Sequence, residues 1–269
     1  MSIILDGKTY ATPGLETVSY SDDPKVPQAT DFNPRRERIK WIVIHTVHGK
    51  RCTALKPGFS APSKRAEQYA IYQANTSREV SWDFTIDTDG TIIQSNDPVK
   101  RYTWHAGSFN PFSLGIELVQ ESDGTMYAGQ MDVLVKFVDF LTRELALLEH
   151  PISRQVPSIN GNPPDGIVKR IQDAAKARKT SGVCGHRNQT TNRGPGDPTD
   201  FPFKALLDAG YKGLDYDGLE DVTMWKGIQT RLGVAADGEP GPATAKAIRD
   251  LGHNPAGLWV VRPGDGVTQ

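Results

Sequence analysis

The 269-residue chain reads as an α/β protein, with a central mixed β-sheet flanked by helices and a second, small all-α domain after it. Three stretches carry that reading. Residues 39–46, I-K-W-I-V-I-H-T, form a largely apolar run of the kind buried on both faces of a sheet. Apolar and polar residues then alternate through V-S-W-D-F-T-I-D-T-D-G-T-I-I-Q-S, which predicts an antiparallel hairpin turning on Asp89-Gly90. From Gln130 to His150, Met131, Leu134, Val135, Val138, Leu141, Leu145 and Leu148 recur at helical spacing. A doubly buried strand, a hairpin and a long one-sided helix fit a sheet covered by a helical layer.

The remaining elements follow along the chain. Residues 1–38 are polar and carry Pro13, Pro24, Pro27 and Pro34, so they are expected to form an extended arm leading into the core. Residues 62–75 open on a proline suited to a first helical turn and predict a helix. S-L-G-I-E-L-V-Q, residues 113–120, is another strand. The stripe on the 130–150 helix is core and not a cofactor face. Residues 151–166, rich in Pro, Gly and Asn, form a long loop, and a loop of that length in a compact domain is often functional, here as a groove wall. A short basic helix is expected over 167–178 and another over 201–209. The catalytic unit therefore spans 39–209. Residues 210–218, G-Y-K-G-L-D-Y-D-G, read as a linker, and 219–269 as a helix, a tight loop and a helix too small to bury a large core.

Composition narrows the function classes. Apolar residues make up 37% and charged residues 23%, as in ordinary globular proteins. A formal net charge of −1 offers no basic stripe for nucleic acid. No apolar run approaches the roughly 20 residues that span a bilayer, so membrane insertion is not expected. The start, M-S-I-I-L-D-G-K, shows no signal peptide, which predicts synthesis and storage in the cytoplasm. Two cysteines, Cys52 and Cys184, make no disulfide framework. Buried free thiols fit them best, with a single disulfide or a zinc thiolate as alternatives.

Histidine is scarce, with six in the chain, yet three stand in informative contexts. His45 ends the apolar strand, His105 lies in W-H-A-G, and His186 lies in G-V-C-G-H-R-N-Q-T-T-N-R-G-P-G-D-P together with Asp197. A lone histidine is usually a hydrogen-bonded structural residue. Two neutral imidazoles and a carboxylate, with a fourth position open to water, hold catalytic zinc. Glu117 adds a carboxylate in mid-strand, costly to bury without a partner or a task. No H-E-x-x-H helix is present, which argues against a zinc peptidase of that kind.

Taken in order, the strand ending in His45, the D-G hairpin, W-H-A-G, N-x-x-S-L-G-I-E-L and a histidine followed by D-P resemble the zinc-dependent N-acetylmuramoyl-L-alanine amidases of the type-2 amidase and peptidoglycan-recognition superfamily. Bacteriophage endolysins are the nearest likeness. The resemblance covers about residues 38–205 and implies the amidase/peptidoglycan-recognition fold. It implies Zn2+ held by His45, His186 and Asp197, with Glu117 as general base for the zinc-activated water. It places His105 in the substrate cleft, as a donor to the scissile carbonyl or to another substrate group. The aromatic faces of Trp82, Trp104 and Phe109 and the amide of Asn110 suit sugars and short peptides and are expected as groove walls. Trp104 and Phe109 would serve equally well as core residues. His48 has no counterpart in the pattern.

The chain also departs from the family. Pro195 stands where a lysine often precedes the third ligand, leaving Arg193 as the candidate for oxyanion stabilisation. Trp82 replaces a tyrosine found in some relatives, and Asp83 stands where histidine is common. The C-terminal stretch, with Gln229, R-L-G and D-G-E-P-G-P-A-T, resembles a small helical peptidoglycan-binding module. The implied activity is cleavage of the amide between N-acetylmuramic acid and L-alanine during host cell-wall lysis, with bacterial peptidoglycan as partner. A monomer is expected, held in the host cytoplasm and released through a pore-forming partner. A non-catalytic peptidoglycan-binding protein is the alternative, although such a protein need not keep the three ligands and Glu117.

Overall fold

A computed structural model describes residues 1–21, 33–48, 55–56, 59–60, 64–78, 80–122, 124–156, 177–189, 197–198, 201–213, 229–230 and 233–234. The centre is a six-stranded sheet. In chain order its strands are β1 (Thr17–Ser19), β2 (Trp41–His48), β3 (Phe84–Ile86), β4 (Ile92–Gln94), β5 (Ser113–Gln120) and β6 (Gly182–Gly185). They lie side by side as β6-β2-β5-β3-β4-β1. β2 is parallel to both β6 and β5, β5 is parallel to β3, and β4 is parallel to β1. Only β3 and β4 run antiparallel in this sheet, joined at Asp89-Gly90 with Ile86 opposite Ile92. The sheet is therefore mixed, as the sequence predicts.

Alternation along the two central strands separates its faces. Ile42 and Ile44 of β2, with Leu114, Ile116 and Leu118 of β5, turn to one side. There they meet Leu134, Phe137, Val138, Leu141 and Leu145 of α2 (Ala128–Leu147) and Phe203 and Leu206 of the helix Phe201–Asp208. Burying each such side chain contributes about 1.5–3 kcal/mol, and this face is the main core. Trp41 and Val43 turn the other way, towards Phe109, Phe112 and Cys184. Further along that second face, Ala66 and Ala70 of α1 (Arg65–Asn75) cover Ile93 and Val119. His45 continues the Trp41–Val43 series, so it emerges on the second face beyond the aromatic cluster.

Buried polar links fix the layers. Gln130 Nε2 donates to the carbonyls of Ile86 and Val119, tying α2 to β3 and β5. Arg65 donates to Glu121 at 3.0 Å and to Thr88, anchoring α1 to the hairpin and the end of β5. Arg35 donates to the carbonyls of Pro111 and Ser113, both at 2.8 Å, and clamps the entry into β5.

Several expectations are refined. The first 21 residues of the expected arm belong to the folded unit. Ser2–Leu5 pairs antiparallel with Lys8–Ala11, β1 closes one edge of the sheet, and Ile3, Leu5 and Leu15 are buried in the main core. Polar spacing hides this, because few large apolar side chains, chiefly Ile3, Leu5 and Leu15 with Tyr10 beside them, anchor the segment. α1 runs from Arg65 to Asn75, and Pro62, expected to open the helix, lies outside the described residues. Within the expected loop 151–166, Gln155–Val156 pairs with Lys212–Gly213. Residues 157–166, most of the basic helix 167–178, the linker residues 214–218 and nearly all of 219–269 lie outside the described residues.

Candidate active site

Two adjacent parallel strands and the loop after β6 supply the site. His45 is the fifth residue of β2 and is only 3% exposed. His186 directly follows β6, the neighbour of β2, and its ring packs edge-on to that of His45 with centroids 4.6 Å apart. Asp197 completes the group. Its Oδ2 lies 3.4 Å from His186 Nδ1, and its Oδ1 accepts the Thr46 N–H at 3.1 Å. One potential ligand atom from each of His45, His186 and Asp197 lies within 4.8 Å of the others. Burial favours the neutral acid of Asp197, but the His186 hydrogen bond, the charges of His45 and His186 and the Thr46 N–H outweigh it. The carboxyl therefore titrates below its ordinary value and is ionised at neutral pH.

Space for this arrangement comes from missing side chains. A Cβ on Gly185 would stand 2.5 Å from Pro198 Cδ and 3.1 Å from the Phe203 ring, so the Asp197–Pro198 segment can close only over glycine. A Cβ on Gly115 would stand 2.9 Å from His105 Cγ and Nδ1. That notch admits the His105 ring, whose Nδ1 lies 3.0 Å from His45 Nε2.

His105 is tied on every side. Its Nε2 meets Ser113 Oγ at 3.2 Å, and its backbone N–H and that of Ala106 both donate to Asn110 Oδ1. Burial first, then the charges of His186 and Arg35, push its pKa down to about 3, so the ring is neutral. Glu117 pairs in register with His45 across β5 and β2, and in-register neighbours share a face. It stands half-buried beside the ligand group, where a carboxylate can take a proton. Beneath, Asp83 Oδ2 accepts from the Gly115 N–H and the Thr103 hydroxyl. Burial pushes the Asp83 carboxyl up to about 7, against Arg35 and those two donors.

Two imidazoles and one carboxylate, gathered within bonding span of a single ion, form an N/N/O donor set suited to zinc with one position left over. The N-acetylmuramoyl-L-alanine amidase family model matches residues 35–197, a span that runs from the Arg35 clamp to Asp197. The chain belongs to this amidase family. Among solved structures, the amidase chain is similar to the catalytic domain of XlyA, at 19% identity and TM-score 0.46 over 73% of this chain and 100% of that one. It is similar to a mutant endolysin from Bacillus subtilis, at 20% identity and TM-score 0.46 over 73% and 99%. An AmpD derivative aligns at 21% identity and TM-score 0.41 over 77% and 98%. No curated protein matches the chain significantly by sequence.

Against the expectations, the structure joins His45, His186 and Asp197, and places Glu117 beside them. It does not turn His105 to a substrate, since Nδ1 faces His45 and Nε2 faces Ser113. Three expected groove walls are interior. Trp82 is buried with Nε1 donating to Thr85 Oγ1, Phe109 packs on Phe112, and Asn110 holds the W-H-A-G turn. Trp104, beside Tyr102, is 36% exposed. Cys184 is a free, buried thiol pushed up to about 12 by burial, while Cys52, Arg193 and Pro195 lie outside the described residues. Sequence reasoning missed Ser113, Gly115 and Tyr69. The Tyr69 phenol is raised by burial, with Arg65 opposing and Glu117 adding to the rise. Only S-L-G, read as a strand opening, carried a trace of the first two.

Proposed function

We propose that this amidase hydrolyses the amide between N-acetylmuramic acid and the L-alanine of the stem peptide, as a zinc enzyme of the phage endolysin type. The observation that carries the reading is the meeting of His45, His186 and Asp197 beside Glu117 in a chain of this family. Those three residues would hold the zinc. When bound, the metal supplies a Lewis acid that polarises a carbonyl and acidifies water. Glu117 takes the proton of the attacking water and returns it to the leaving L-alanine amine. The Thr46 N–H keeps Asp197 oriented and its charge in place. Trp104 offers an aromatic face to the glycan or the peptide. Arg193 is the candidate to meet the developing oxyanion charge.

In this reading the enzyme is a monomer that waits in the host cytoplasm, reaches the wall through a pore-forming partner, and is held there by residues 219–269. The test is His186→Ala, with zinc content and loss of turbidity of bacterial cell walls measured together. Both should fall to background. Retention of metal and lysis would remove His186 from the site and sink the assignment.

A further inference from the structure

The W-H-A-G histidine contributes something other than a substrate contact. Ser113 Oγ lies 2.8 Å from the Phe109 carbonyl, which can only accept, so the hydroxyl proton is committed there. Towards His105 Nε2, at 3.2 Å, Ser113 Oγ is then the acceptor and the ring nitrogen the donor. Neither ring nitrogen of His105 faces a carboxylate, and the ring is 8% exposed, so it is held as a neutral imidazole with its one proton on Nε2. Its Nδ1 is therefore an acceptor, and the atom opposite at 3.0 Å, His45 Nε2, must be the donor. The ordering passes from a backbone carbonyl through a hydroxyl and one imidazole to the next.

We propose that His105 is a positioning residue that fixes His45 in its Nε2–H tautomer and so selects Nδ1 as the nitrogen His45 presents to a metal. The relay is built into the strand. Gly115 leaves the notch that the His105 ring fills, and Asn110 pins the backbone on either side of the His105–Ala106 peptide. A ligand histidine whose second nitrogen is held by a neighbour is oriented before the metal arrives, and loss of such a neighbour typically lowers affinity 10–100-fold. The metal half of this inference rests on the zinc reading above. The tautomer half does not.

The experiment uses the full metal-free chain, with the histidine ring nitrogens followed by nitrogen–proton correlation spectroscopy, and then zinc titration. In the unsubstituted protein, His45 should show a protonated Nε2 and an unprotonated Nδ1. Ser113→Ala removes the acceptor that orders His105 and should give mixed tautomers at both rings. His105→Leu should lose the ordering of His45 and bind zinc about 10–100-fold more weakly. His105→Asn, whose Oδ1 can replace Nδ1 as an acceptor, should restore both. A proton on Nδ1 of His45 in the unsubstituted protein would overturn the proposal. So would an unchanged His45 tautomer with unchanged zinc affinity in Ser113→Ala. Should His105→Leu fail to fold, those two readings still decide. If the unsubstituted chain shows the tautomer but takes no zinc, the zinc reading fails by itself.

Discussion

Asp83 carries a carboxyl under the site floor, and its titration has a sign that can be worked out. The unfolded carboxyl ionises near 3.9, whereas the folded one ionises at about 7. Between those values the folded state holds a proton that the unfolded state has lost, so rising pH favours unfolding across that window and has no further effect above it. Asp83→Asn keeps an acceptor for the Gly115 N–H and removes the penalty. The variant should match the parent at about pH 4 and gain up to about 4 kcal/mol over it near pH 8, read from urea unfolding at both. A difference that does not change with pH would contradict the assignment. Asn110 gives a second residue-scale prediction. Its Oδ1 receives the His105 N–H at 3.1 Å and that of Ala106. Asn110→Ala leaves two buried donors unmet, each costing about 1–3 kcal/mol, and should lower the unfolding midpoint accordingly. Unchanged stability with a raised KM for wall substrate would return Asn110 to the groove. At this scale the sequence singled out His45, His186 and Asp197, which the fold brings within 4.8 Å of one another, because a donor set needs particular atoms. It misplaced Trp82, Phe109 and Asn110, because an aromatic or an amide beside a site motif serves packing and turn closure equally well.

Among the elements, legibility followed burial. β2 and β5 were readable because both faces are covered and the apolar run is continuous, and α2 because its apolar stripe repeats along 20 residues. β1 was not, since a three-residue strand pairs with β4 far along the chain and only long-range pairing gives it meaning. The orientation of α2 makes a paired prediction. Leu134 is fully buried against the sheet, whereas Leu147 is 75% exposed at the last turn. Leu134→Ala should destabilise by about 2–5 kcal/mol and Leu147→Ala by no more than about 0.5, in denaturant melts compared side by side. Equal losses would mean that the helix presents another face.

Over the whole molecule, the site lies on one face of the sheet, with His45 and Glu117 in the second halves of the parallel strands β2 and β5 and His186 just beyond the end of β6. The main core packs the opposite face, so the chemistry is carried by a rigid platform that does not itself need to move. Among the described residues, no helix is long and apolar enough to cross a membrane. We propose that this platform performs zinc-dependent amide cleavage. The decisive measurement is mass spectrometry of purified peptidoglycan digested by the zinc-loaded chain. Stem peptides with a free N-terminal L-alanine should be released, absent after chelation and restored by zinc. Cuts within the stem or the glycan, or the same products with the metal removed, would contradict it.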